Sequence, residues 1–230
     1  MRALEENYLK IRENIASAAK KSGRNADDIQ LIAVTKTIAP EVINSLLTLG
    51  VDNFGENKAQ ELASKYEFFE EKKPSWHMIG HLQTNKVKYV IDKVKMIQSL
   101  DSVRLAEEIN SRAEQKGVIM DALIEVNTAN EDTKCGIEPN RLDFFIEHMQ
   151  QFANIRLRGL MCIAPFVKNP DDNRVFFQKM LKFFLDIKQK YNYYNYIDYL
   201  SMGMSNDYSA AIEEGANMVR IGTAFFGNRN

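Results

Sequence analysis

The amino-acid sequence predicts an α/β protein: a single closed (β/α)8 barrel of the TIM type, with an extra helix at its N-terminal end. Three observations predict it. Short apolar runs of strand length alternate with amphipathic stretches of helical period through eight units, an order that argues for parallel pairing. The 230 residues come close to the roughly 250 that one such barrel needs. No linker, low-complexity tract or break in composition divides the chain, so residues 1–230 read as one domain. An open doubly wound sheet is the competing arrangement, and eight units at this length favour closure.

Each element has its own warrant. Residues 3–20 place Leu4, Tyr8, Ile11 and Ile15 on one helical face, and Lys20-Lys21-Ser22-Gly23-Arg24-Asn25 stops that helix. The stretch Ile29-Gln30-Leu31-Ile32-Ala33-Val34-Thr35 is crowded with apolar residues, as a strand covered on both faces would be, and it runs out at Lys36. Pro40 and Glu41 suit the first turn of a helix over 40–49, which Gly50 caps. Further strands are expected at Asn53–Gly55, Trp76–Gly80, Met96–Leu100, Asp121–Val126, Leu157–Cys162, Tyr196–Ser201 and Met218–Gly222. Helices are expected over 57–69, 102–115, 140–151, 171–190 and 205–215. Phe176, Phe177, Phe183, Phe184 and Leu185 sit at helical spacing, which reads as core. Tyr191, Tyr193, Tyr194, Tyr196 and Tyr199 lack the basic surround that base stacking would need and read as packing or a wet interface. The chain stops soon after the eighth unit, and no second domain is expected.

Composition excludes several classes of function. Thirty basic against 31 acidic residues leave a net charge of -1 and a pI near 6.3, so nothing points to nucleic acid or an anionic membrane. No apolar run approaches the ~20 residues needed to cross a bilayer. The opening Met1–Asn7 is polar and acidic, unlike a signal peptide. Cys135 and Cys162 share no close spacing and read as free thiols of a reducing compartment, with the cytoplasm the default.

Lys36 stands at a strand exit, the end at which α/β barrels keep their chemistry. Alone, such a lysine is more readily a solvated one. The last thirty residues raise its standing. Ser201-Met202-Gly203-Met204-Ser205-Asn206-Asp207 and Arg220-Ile221-Gly222-Thr223 each follow a strand, and each offers small residues and a hydroxyl. In (β/α)8 barrels the loops after the seventh and eighth strands commonly hold phosphate, and a helix opening near Ser205 would aim its N–H groups at the anion. Either loop alone reads equally as a tight turn needing glycine; the pair, in these positions, favours an anion. Arg220 reads as a buried, carboxylate-paired arginine or as a guanidinium meeting a ring nitrogen of a cofactor. A lysine at one rim, a phosphate cradle on the opposite seam and an arginine between them suit pyridoxal phosphate.

The remaining polar residues are weaker signals. His77 and His81 are four apart, but Gly80 and the strand-like Trp76–Ile79 spoil the helix that such a ligand pair requires, so no metal site is expected. Either histidine could line the pocket instead. Asn127, Thr128, Lys134 and Gly136 open a loop at the same mouth, an entry for substrate or partner or simply a solvated loop. Cys135 reads as an exposed thiol and Cys162 as core.

Val34-Thr35-Lys36, Phe54-Gly55-Glu56-Asn57, Trp76-His77-Met78-Ile79-Gly80-His81-Leu82-Gln83-Thr84-Asn85-Lys86, Ser201-Met202-Gly203-Met204-Ser205 and Val219-Arg220-Ile221-Gly222-Thr223 span essentially the whole chain. Together they resemble the pyridoxal phosphate homeostasis protein family, single-domain relatives of the alanine racemase barrel. The resemblance implies that Lys36 forms the aldimine with pyridoxal phosphate. It also implies that Ser201, Met202, Gly203, Met204 and Ser205, with Gly222 and Thr223, hold the phosphate. Arg220 then faces the pyridine nitrogen and Asn57 lies close to the cofactor; His81 or the residues after it become rim elements. The family often carries Tyr or Val after its Glu-Asn pair, where this chain has Lys58-Ala59, a change that should alter the rim and not the imine.

Arginine does not readily give up a proton, so Arg220 would leave the ring nitrogen unprotonated, which argues against transamination. Racemisation needs acid–base groups on both faces of the substrate carbon, and in two-domain racemases the second is a tyrosine of the extra domain. The expectation is therefore a monomeric carrier that takes part in vitamin B6 homeostasis without catalytic turnover, with pyridoxal phosphate-dependent apo-enzymes as recipients. A small amino-acid racemase is the competing expectation. A third is a barrel for another phosphorylated metabolite, with Lys36 as a counter-ion.

Overall fold

The computed structural model describes residues 2–69, 71–129, 135–191 and 196–227. All eight expected strands are present: β1 (Gln30–Val34), β2 (Asn53–Glu56), β3 (Ser75–Met78), β4 (Met96–Leu100), β5 (Met120–Glu125), β6 (Ile155–Met161), β7 (Tyr199–Ser201) and β8 (Met218–Ile221). They pair in parallel and in sequence order, and β8 returns to β1 to close the barrel. Helices cover the outside: α1 (Arg2–Lys21), α2 (Pro40–Thr48), α3 (Ala59–Phe68), α4 (Val103–Lys116), α5 (Leu142–Met149), α6 (Arg174–Lys190), α7 (Tyr208–Glu213) and α8 (Thr223–Phe226). No helix among the described residues is long and apolar enough to cross a membrane.

Local chemistry accounts for the helix ends. Pro40 occupies the first turn of α2, and Gly50 follows that helix with φ 86°. Ser102 caps α4 by accepting the Leu105 N–H at 3.3 Å, and Gly117 ends it in the left-handed region. The extra helix α1 lies against the end of the barrel sequence, with Asn14 Nδ2 donating to Tyr208 Oη and Asn7 Nδ2 to the Phe225 carbonyl, both at 2.9 Å.

Three elements depart from expectation. The β3–β4 connection holds a 3-10 helix, Thr84–Tyr89, where the alternation calls for an α-helix. Val87 is buried within it, and Leu82, Val90 and Ile91 are buried on either side. Short 3-10 turns at Pro139–Arg141 and Pro170–Asn173 lead into α5 and α6. The helix expected from residue 205 begins only at Tyr208, because Asp207 Oδ1 accepts the Met204 N–H at 2.7 Å and forms a turn first. Phe177 and Phe184 are buried, as core spacing predicts, whereas Leu185 is exposed. Of the tyrosine cluster, Tyr191 is buried, and Tyr196 and Tyr199 lie beside Arg156 and Arg158; Tyr193 and Tyr194 fall outside the described residues.

The barrel interior is layered. Ile32, Met96, Leu123, Met161 and Met218 form a small apolar cluster of their own inside the strands. Side chains two positions apart on a strand point the same way, so Gln98, Glu125 and Arg220 stand one layer above Met96, Leu123 and Met218. That cluster is apolar, and the layer of Gln98, Glu125 and Arg220 above it is polar.

Candidate functional site

Lys36 leaves β1 between two clamped neighbours. Thr35 is buried and donates through Oγ1 to Glu56 Oε1 at 2.6 Å, while its carbonyl accepts from Lys65 Nζ at 2.7 Å. Lys65 Nζ also meets Glu56 Oε1 at 2.8 Å and Glu61 Oε1 at 2.7 Å. Glu61 Oε1 in turn accepts the Thr37 N–H at 2.6 Å. That bond holds Thr37 at φ 63°, a region a β-branched residue seldom enters. Burial raises the Glu56 carboxyl above the usual range despite Lys65 and Thr35, and its Oε2 has no partner among the described residues. Burial acts the same way on Glu61, but hydrogen bonds from Lys65 and the Thr37 N–H outweigh it and hold that carboxyl low. The Glu61–Lys65 spacing signals a helical ion pair. Nothing in the sequence signals that this pair is folded against the Lys36 strand.

The Gly222–Thr223 loop, expected to hold phosphate across the mouth from Lys36, lies beside it instead. Ala33 pairs with Ile221 where β8 closes onto β1, so Lys36 and the Gly222–Thr223 loop leave neighbouring strands. The backbone N–H groups of Gly222 and Ala224 both donate to Ser205 Oγ, at 3.0 and 3.1 Å. Two N–H groups converging on one oxygen at the opening of a helical turn form an anion nest, and the hydroxyl oxygen marks where an anionic oxygen would sit. These two N–H groups come from the start of α8. Gly203 has φ 89°, and a Cβ there would lie 2.5 Å from Ala211 Cβ and 2.9 Å from Tyr208 Cα, so this turn needs glycine. Met204 lends no N–H to the cradle, since Asp207 holds it. Met202 is buried and Thr223 is exposed beside Gly222.

Ser201, expected with the phosphate loop, turns its hydroxyl into the barrel. Arg220 Nη1 donates to Ser201 Oγ at 2.6 Å, and Nη2 donates to the Cys162 carbonyl at 2.7 Å. Ser201 Oγ donates to Gln98 Oε1 at 2.7 Å, and Gln98 Nε2 lies 3.2 Å from His77 Nδ1. His77 Nε2 is 3.2 Å from Asn53 Oδ1. The amide of Gln98 donates to Nδ1, so a neutral ring carries its proton on Nε2 and donates it in a hydrogen bond to Asn53 Oδ1. Complete burial, helped by the distant charge of Lys95, pushes His77 down to about 3 and keeps it neutral. Every donor in this series points away from Arg220, and the guanidinium is fixed by the floor beneath it. Among the described residues buried Arg220 is hydrogen-bonded to Ser201 and the Cys162 carbonyl and to no carboxylate, unlike the carboxylate-paired alternative.

The other side of the mouth is acidic. A cavity of about 300 Å³ opens there between Asn57, Gly80, His81, Glu125, Asn127 and Cys135, among others. Gly80 admits Asn57 to this wall, because a Cβ at Gly80 would lie 2.5 Å from the Asn57 carbonyl oxygen. Glu125 is buried; that burial, with Asp101 nearby, pushes its carboxyl up to about 7 against the pull of Arg220 and His81. The residues after Cys135 fold back on β5, with Ile137 N–H donating to the Glu125 carbonyl at 2.7 Å and Asn127 N–H to the Ile137 carbonyl at 3.0 Å. Thr128 is buried, and Lys134 lies outside the described residues. His77 and His81 are not brought together: His77 is inside the barrel, and His81 meets Asp101 and Cys135 at the rim.

Comparison with known proteins gives this arrangement a family. The model of the alanine racemase N-terminal domain matches residues 7–230. A protein of Aquifex aeolicus named pyridoxal phosphate homeostasis protein is 42% identical over 224 residues, covering 97% of each chain. The chain belongs to the pyridoxal phosphate homeostasis protein family. Solved structures agree with that membership. An unknown protein from Bifidobacterium adolescentis superposes with a TM-score of 0.91 at 32% identity, over 98% of this chain and 95% of that one. PipY of Synechococcus elongatus, solved with PLP bound, gives 0.83 at 28% identity, over 97% of this chain and 100% of that one.

Proposed function

We propose that this chain, like PipY, holds pyridoxal phosphate, attached through Lys36 at the barrel mouth, and serves vitamin B6 homeostasis as a single-domain carrier without turnover. The observation that carries this reading is the meeting of three different groups at one end of the barrel. They are a primary amine on a clamped strand exit, two N–H groups converging on one oxygen, and a buried, doubly anchored guanidinium. They suit the aldehyde, the phosphate and the ring nitrogen of one small molecule. The cofactor, when bound, supplies an aldehyde that condenses with amines and a ring able to draw electrons from what is attached to it. Lys36 takes the aldehyde. Ser205 and the Gly222 and Ala224 N–H groups receive the phosphate. Arg220 offers the ring nitrogen a hydrogen bond without surrendering its proton, which leaves the ring a weak electron sink and favours holding over turnover. In this reading the carrier is a cytoplasmic monomer that passes the cofactor to apo-enzymes.

Titrating the purified chain with pyridoxal phosphate tests the proposal. A yellow protein with a visible absorption band is expected, Lys36→Ala should lose the band, and borohydride followed by peptide mapping should find the pyridoxyl group on the Lys36 peptide. A panel of amino acids should be neither racemised nor transaminated. A label elsewhere would overturn the role of Lys36, and steady turnover on any amino acid would replace the carrier with an enzyme.

A further inference from the structure

Three side chains from distant parts of the chain meet at the rim beyond β3, β4 and β5. His81 Nδ1 lies 2.9 Å from Asp101 Oδ2 and 3.4 Å from Cys135 Sγ. All three potential ligand atoms fall within 4.8 Å of one another. We propose that His81, Asp101 and Cys135 form a zinc site at the mouth of this barrel.

The geometry separates this cluster from two familiar alternatives. In a nucleophile–histidine–acid triad the ring bridges, with nucleophile and acid on opposite nitrogens. Here both partners face the same nitrogen, as ligands around one point do. In a lone surface ion pair the thiol would have no part. Tetrahedral zinc, with Zn–N about 2.0–2.1 Å, Zn–S about 2.3 Å and Zn–O about 2.0 Å, sets N···S near 3.5 Å and N···O near 3.3 Å. The two contacts to His81 Nδ1 need a few tenths of an ångström, and Cys135 Sγ and Asp101, within 4.8 Å of each other, would draw together around the ion.

The buried Glu125 lines the same cavity as His81 and Cys135, and His81 bonds Asp101, so a divalent ion here would meet carboxylates as well as a thiolate. The donor set chooses the metal: an imidazole, a thiolate and a single carboxylate suit zinc, whereas magnesium and calcium take oxygen donors. Three protein ligands leave a fourth position for water or an anionic group of a small molecule entering the mouth.

The test uses the full chain before any pyridoxal phosphate is added, so its outcome is separate from the cofactor reading. Cobalt(II) serves as the probe and zinc as its competitor. One equivalent of cobalt should produce a thiolate-to-metal charge-transfer band that zinc removes. Cys135→Ser should abolish the band, and His81→Ala and Asp101→Asn should each weaken zinc binding by roughly tenfold or more. The His81 side chain is half-exposed and Cys135 is an exposed residue, so their variants should keep the wild-type circular dichroism. No band at stoichiometric cobalt, a band that survives Cys135→Ser, or zinc affinity unchanged by His81→Ala would each overturn the site.

Discussion

Around β8, β1 and β2 the barrel mouth is held by backbone and by charges with assigned partners: Lys65 meets three oxygens and Arg220 meets two. Around β3, β4 and β5 it is lined by side chains whose charge depends on their surroundings, with His81 against Asp101 and Cys135, and Glu125 raised to about 7. One half is built to present a fixed geometry, the other to respond to protons and ions. Backbone N–H groups and an always-charged guanidinium cannot be titrated away. Buried carboxyls can be, because desolvation and like charge raise their ionisation towards the physiological range.

The contrast can be tested on both halves. Lys65→Met strips the cation from a buried carboxylate and from the carbonyl of Thr35, and should cost about 3–5 kcal/mol in urea unfolding. It should also slow attachment of pyridoxal phosphate at Lys36, and a loss near zero would mean that the clamp does not hold this rim. Glu125→Gln probes the responsive half. The unfolded chain ionises this group near 4.5 and the folded chain near 7, so the native state retains a proton that the unfolded state has lost. Wild-type stability should therefore fall as pH rises through that window and level off above it. The glutamine variant should lack the fall and be more stable at pH 8 by up to about 3 kcal/mol, yet equal at pH 4, when cofactor-free protein is unfolded by urea. Identical pH profiles would refute the shift. Gln98→Leu is the mildest of the three. It removes the acceptor of the Ser201 hydroxyl and the donor to His77 Nδ1, for a loss of about 1–3 kcal/mol, and it should move the absorption maximum of bound pyridoxal phosphate by loosening Arg220. An unmoved maximum would show that Arg220 does not need the support below it.

Much of this was legible in the residues. Strands covered on both faces declare themselves as apolar runs, so all eight were visible, and Lys36 at a strand exit together with the Gly- and Ser-containing loops marked the working end. Other features had no local signal. Nothing near Ser201 says that its hydroxyl turns inward to Arg220, and nothing in Thr223–Phe226 announces a helical turn whose first N–H groups form the cradle. Asp101 and Cys135 lie 20 and 54 positions beyond His81, spacings that carry no motif.

Periodicity and turn chemistry act over a few residues, and they were enough to order the strands, end β1 at a lysine and place glycines where the backbone must turn. Closure of the sheet is a long-range event. It set β8 beside β1, bringing the Gly222–Thr223 loop next to Lys36 instead of opposite it, and it gathered three strand ends into one acidic rim. Burial is also decided only then, because the cost of a charge depends on what covers it. That is why Glu125, Glu56 and His77 acquired their protonation preferences from the folded barrel and not from their neighbours in the chain.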